Sequence, residues 1–110
     1  MAAVYKNLGG GSYPSANVLT DLYTVPGATE AIVSSIVCAN RGDRPAKVTV
    51  THAIAGAADE AKQTIVPETR VPAKEPYILT IGPTLAATDV VRVKSDSGTV
   101  AFNMYGAEKT

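Results

Sequence analysis

Tryptophan is absent from this 110-residue chain, and phenylalanine, histidine and cysteine occur once each. A single histidine, His52, cannot anchor a histidine-based metal cluster. A single cysteine, Cys38, cannot close an internal disulfide; inside the apolar run from Ala31 to Ala39 it reads as a buried structural thiol. Ten basic residues balance ten acidic ones, so the basic surface that drives nucleic-acid binding by counterion release is missing. No apolar run reaches the length of a signal peptide or a membrane span, and the expectation is a protein made in a cytoplasm. No phosphate-cradling glycine motif precedes a strand–helix pattern, and no G-x-S-x-G elbow presents a serine. With so few aromatics, the core must be aliphatic and thin. A neutral chain also has little colloidal self-repulsion, which suits a subunit that lives in an assembly.

What the chain does have is short runs of β-branched residues separated by turn signals. Val18–Val25 stops at Pro26-Gly27, Lys47–His52 alternates cleanly, and Lys62–Val66 and Tyr77–Ile81 end at Pro67 and Gly82-Pro83. Val90–Ser95 and Thr99–Tyr105 flank a short Asp96-Ser97-Gly98 loop and read as a hairpin with one apolar face. Ala53–Ala61, small and polar, reads as a long loop crossing between sheets. About eight short strands without an amphipathic helix predict an all-β fold. The expected form is a two-sheet antiparallel β-sandwich of jelly-roll or immunoglobulin-like topology over residues 17–110. The expected core is Ile32, Ile36, Val48, Val50, Leu79, Ile81, Leu85, Val91, Val93, Val100, Phe102 and Met104. Residues 1–16, with Gly9-Gly10-Gly11 at their centre, read as a flexible N-terminal arm, either frayed or ordered on a neighbour.

Chemistry is sparse. His52 falls at an inward-facing strand position, where a satisfied, half-buried imidazole is the plain reading. Asp59 and Glu60 make a weak calcium site, and Glu68 and Glu75 have no acid/base spacing. No catalytic, cofactor-binding or metal-binding residue is assigned. Arg41-Gly42-Asp43 spells an adhesion tripeptide, but a turn there favours Gly-Asp on its own account. Tyr23, Tyr77 and Tyr105 are candidates for lining a shallow glycan-binding surface. The strand around Ile32–Cys38 is apolar on both faces, and in so small a domain that suggests a face covered by another subunit. The candidate partner-binding residues are therefore Val4, Tyr5 and Tyr13 of the arm, Val33 and Val37 of the two-faced strand, and Arg41 at the loop tip.

Several segments, in order across residues 18–107, resemble a family of small tailed-bacteriophage virion proteins. They are Leu19-Thr20-Asp21-Leu22-Tyr23-Thr24-Val25-Pro26, Ile36-Val37-Cys38-Ala39-Asn40-Arg41-Gly42, Ala55-Gly56-Ala57-Ala58 with Lys62-Gln63, and Val71-Pro72-Ala73. Gly82 comes next, then Thr84-Leu85-Ala86-Ala87-Thr88-Asp89-Val90-Val91-Arg92-Val93, the most specific block, and finally Phe102-Asn103-Met104-Tyr105-Gly106. The chain departs from that pattern at Thr64-Ile65-Val66, where aromatics are usual, and at Lys74-Glu75, where an Asn-Asp turn is usual. The resemblance implies a non-enzymatic virion role without a cofactor, as a capsid decoration or cement subunit or a tail or fibre adaptor. It further implies association as a homotrimer and contact with major capsid or tail proteins, without nucleic acid or membrane. A glycan-binding module at the host surface is the alternative of a different class.

Overall fold

A computed structural model describes residues 3–58 and 61–110. Among the described residues nine strands run in the order β1 (Ala3–Asn7), β2 (Thr20–Thr24), β3 (Glu30–Asn40), β4 (Ala46–Ala53), β5 (Thr64–Val71), β6 (Pro76–Leu79), β7 (Thr84–Leu85), β8 (Val90–Ser95) and β9 (Val100–Lys109). Single 3-10 turns at Ile54–Gly56 and Ala61–Gln63 lie between β4 and β5. One sheet has the order β1-β9-β3-β6, with β7 also on β3; the other has the order β2-β8-β4-β5. All the pairings are antiparallel. We call these the nine-side and eight-side sheets, after β9 and β8, which they respectively contain.

The strand order obeys one rule. β6 and β7 lie along the same edge of β3, as two halves of one strand interrupted around Gly82-Pro83. Counting them together, first pairs with last, second with second-last, and so on inward to β4 with β5. A long hairpin folded at its middle and rolled into two layers gives that connectivity, which is a jelly roll. The immunoglobulin arrangement groups consecutive strands such as A–B and F–G within one sheet and does not apply.

That topology corrects the expected hairpin at Asp96-Ser97-Gly98. β8 and β9 do not pair; they lie in different sheets, and the loop between them arches across the core. Alternation reports which face of a strand is apolar, and that is the same whether the neighbour lies beside it or opposite it. The Ala53–Ala61 segment is corrected in the opposite sense: it joins two strands of one sheet, and β4 and β5 form the hairpin. Asp59 and Glu60 lie outside the described residues.

The core lies between the sheets. Phe102, Ile36, Leu85, Met104, Val48, Val50, Val91, Val93 and Val100 are buried, together with Leu8, Val33, Val66 and Val71. Ile32 and Ile81, expected inside, are more than half exposed, and Leu79 is half-buried. The cause at Ile32 is a β-bulge between Val33 and Ser35 opposite Gly106 and Tyr105. One extra residue reverses the inward and outward sense of the strand. Before the bulge Ala31 and Val33 point in; after it Ile36, Cys38 and Asn40 do. Gly106 makes the bulge possible, because a Cβ there would sit 2.1 Å from the Ile32 carbonyl oxygen.

The N-terminal segment, expected as an arm, is built from residue 3 onward into its own domain. β1 pairs with β9 from Ala3↔Lys109 to Asn7↔Tyr105. Leu8 is fully buried and donates its N–H to the Met104 carbonyl at 2.7 Å. Gly9 (φ +85) carries the chain past Leu22 where a Cβ would meet the Leu22 carbonyl.

Candidate interaction surface

The outward faces of the two sheets differ in kind. Residues directly opposite in an antiparallel ladder share a face, so the register gives the residues that each sheet shows. Across the nine-side sheet one row runs Tyr5, Ala107, Ile32, Thr84, and the next Asn7, Tyr105, Ser35. Further along come Asn103, Val37, Ile78 and then Ala101, Ala39, Pro76. No side chain in these four rows is charged; the charge on this face is confined to a fifth row at one end, Ala3, Lys109 and Glu30. Tyr5 is 80% exposed, Ile78 58%, Ile32 51% and Tyr105 43%. The eight-side sheet shows the opposite chemistry: Lys47 beside Arg70, Thr49 beside Lys94, and Arg92 beside Asp21, with Thr51 of that last row buried. That is the composition of a face built to meet water; the nine-side face resembles the core of a protein contact, where charged residues are depleted.

Several elements hold this face in register. Lys6 makes a 2.7 Å ion pair with Glu108, and the Tyr23 hydroxyl donates to the other Glu108 oxygen. This cluster joins β1 and β9 to β2, tying the sheets together at one end. Hydrogen bonds from Lys6 and then Tyr23 hold the Glu108 carboxyl below its usual range despite its burial. Burial first, then the bond to Glu108, pushes the Tyr23 phenol well above its ordinary value. At the opposite end Asn40, 3% exposed, binds three loops. Its amide donates to the Arg44, Val71 and Pro72 carbonyls, and its oxygen accepts from the Gly42 N–H and the Thr99 hydroxyl. The Gly42–Asp43 turn is thereby fixed from within the loop, as a structural reading of that tripeptide requires.

The expected partner-binding residues do not share one surface. Tyr5 lies on the nine-side face, and Val37 lies there too, half-buried. Val4 is exposed at the edge strand, while Tyr13 and Arg41 meet away from the sheet, the guanidinium 5.7 Å from the ring centroid. Val33 is corrected: it is 1% exposed, turned into the core by the bulge. Sequence reading missed Ile32, Ile78 and Tyr105 as one surface. The available signal was the run Tyr77-Ile78-Leu79, in which neither face carries a charge. The three tyrosines proposed for a glycan surface do not share a face. Tyr23 is buried, Tyr77 packs against the core and Tyr105 points outward on β9.

His52 is half-buried, as expected, and its Nε2 lies 2.8 Å from Asp89 Oδ2. Asp89 also accepts the Ala55 and Ala86 N–H groups at 2.9 and 3.0 Å. Burial opposes its charge, and the bonds from Ala55, His52 and Ala86 together outweigh burial and hold the carboxyl below its ordinary range. The pair locks the loop after β4 onto the turn before β8. Cys38 is buried, which pushes its thiol up to about 12. Among the described residues no group of three or more His, Cys, Asp or Glu side chains could hold a metal ion.

No protein-family model matches the sequence, and no curated protein matches it. Among solved structures, a chain described as "Structure of infectious bursal disease virus Gx strain" is similar at a TM-score of 0.45 and 8% identity. The match covers 97% of this chain and 31% of that one, so this chain spans about a third of its length.

Proposed function

We propose that this chain is a non-enzymatic structural subunit of a tailed-bacteriophage virion, a capsid decoration or cement protein seated on the assembled particle through its nine-side face. The observation that carries the reading is the contrast between the two outer faces. One sheet shows Tyr5, Ile32, Ile78 and Tyr105 in four successive rows without a charge, and the other carries charge along its length. An apolar outer face on a domain this small has use only when something covers it. The sequence resemblance to tailed-phage virion proteins supplies the class of partner, a major capsid or tail protein. A particle offers many copies of one site in a fixed array, so modest contacts per subunit become durable when subunits associate. Self-association as a homotrimer belongs to the same proposal.

The test is recovery from purified particles. The protein is expected at tens to hundreds of copies per particle, with labelled protein imaged over the head. Imaging it at the tail would replace the decoration role with a tail or fibre-adaptor role. Absence from particles would refute the virion reading.

A further inference from the structure

Among the described residues each sheet has two open edges, and three of the four are broken up. β2 carries a register shift between Asp21 and Tyr23. β5 has Pro67 mid-strand and Glu68 at a left-handed φ of +28°. The β6–β7 edge opens on Pro76 and is interrupted around Gly82-Pro83. Prolines and bulges of this kind stop a free edge from recruiting another strand. β1 has neither: Ala3–Asn7 pairs with β9 in an unbroken register, and Val4 and Tyr5 are 59% and 80% exposed. We infer that the open edge of β1 pairs with β1 of a second copy, antiparallel and about a two-fold axis at Tyr5.

The hydrogen-bond phase of the ladder identifies the groups free for this contact. Leu8 donates to the Met104 carbonyl, and the register continues from that pair through Asn7↔Tyr105 to Ala3↔Lys109. Bonded and non-bonded pairs alternate along an antiparallel ladder. Lys6 and Val4 therefore turn their backbone groups to β9. Asn7, Tyr5 and Ala3 turn theirs to the open edge, where no described strand meets them. An added strand is held by such edge groups at alternate positions. Among antiparallel registers, one pairs all three: Tyr5 meets Tyr5 of the second copy, and Ala3 meets its Asn7.

That register brings no like charges together. Lys6, the one charged residue of β1, is drawn to Glu108 of its own sheet at 2.7 Å, and across the two-fold it faces Val4 of the second copy. Directly opposed residues share a face, so both Tyr5 rings lie on the outer side and the uncharged rows of the two sheets join into one. A two-fold contact uses the same patch on both copies and closes on itself, leaving neither β1 edge open. The pairing stands independently of the particle contact. A threefold association would use another surface, and the two together give a hexamer.

The experiment is sedimentation velocity of the full chain over a concentration series, with amide exchange followed by NMR on the same samples. An even-numbered species is expected to grow with concentration, and exchange at the Tyr5 and Asn7 amides is expected to slow with it. Tyr5→Pro removes the central edge N–H without taking a bond from β9, and should weaken self-association by about tenfold. Tyr5→Cys should give a disulfide-linked dimer on mild oxidation, because Cα atoms of a directly opposed bonded pair lie about 5.5 Å apart, within reach of the bridge. Val4→Cys, which faces Lys6 of the second copy, should not. A monomer, or a trimer alone, at every concentration would overturn the proposal. So would equal cross-linking in the two cysteine variants, or association left unchanged in Tyr5→Pro.

Discussion

Replacing Asn40 with alanine removes the hub that ties the loop after β3 to the start of the β5–β6 connection and to the β8–β9 arch. The side chain makes three donor contacts, at 2.8 Å to Arg44, 3.1 Å to Val71 and 3.3 Å to Pro72. Its oxygen takes two more hydrogen bonds, both 2.9 Å, from Gly42 and Thr99. Each such bond contributes about 1 kcal/mol net, and those near the surface are partly replaced by water once the side chain is gone. The bond to Val71 is fully buried, so water does not readily replace it and its loss costs about 1–3 kcal/mol. The expected loss is about 3 kcal/mol, equivalent to a fall in Tm of about 12 °C for a domain of this size. Urea unfolding followed by far-UV circular dichroism suits a chain without tryptophan, and the m-value should not change. Asn40→Asp sharpens the test, since it sets an oxygen where the amide faces three carbonyls. Its deficit should be largest at neutral pH and should ease as acid protonates the new carboxyl and restores a donor. A loss below about 1 kcal/mol for Asn40→Ala would refute the hub.

Phe102→Ala should cost about 3–5 kcal/mol, because the only phenylalanine is fully buried between the sheets; calorimetry would measure it. Gly106→Ala should destabilise by about 1–3 kcal/mol through collision with the Ile32 carbonyl across the bulge, and amide exchange should quicken around Ile32–Ser35. Asp89 and Glu108 have folded-state pKa values below the usual range. Their contribution is therefore present above the unfolded value of about 4 and is lost as pH falls through the folded one. Urea midpoints should drop on acidification below that point, and the drop should be shallower in Asp89→Asn.

The all-β class, the two layers and most of the inward set were legible in the sequence, because apolar alternation and turn residues are local. The pairing of β8 and β9 was not: two alternating strands look alike whether they hydrogen-bond or face each other across a core. Val33 and Ile32 exchanged sides because a bulge leaves no mark in composition beyond the glycine opposite it. β1 reads as an arm because its ladder partner, β9, lies at the far end of the chain and three glycines stand between it and β2. Asn40 and Asp89 looked like ordinary turn residues, and their roles exist only where loops distant in sequence converge. Of the interaction face, Tyr5 and Val37 were visible. Ile32, Ile78 and Tyr105 became one surface only once the register set them side by side.

The central claim is that the four uncharged rows on the outer face of the nine-side sheet are what the particle covers. The most direct measurement is co-sedimentation of purified protein with particles lacking it, comparing Ile78→Glu with Lys47→Glu on the opposite sheet. Both positions are exposed, so both variants should unfold within about 0.5 kcal/mol of the parent. The account predicts that Ile78→Glu fails to sediment with particles while Lys47→Glu binds like the parent. Normal binding by Ile78→Glu, or loss confined to Lys47→Glu, would contradict it.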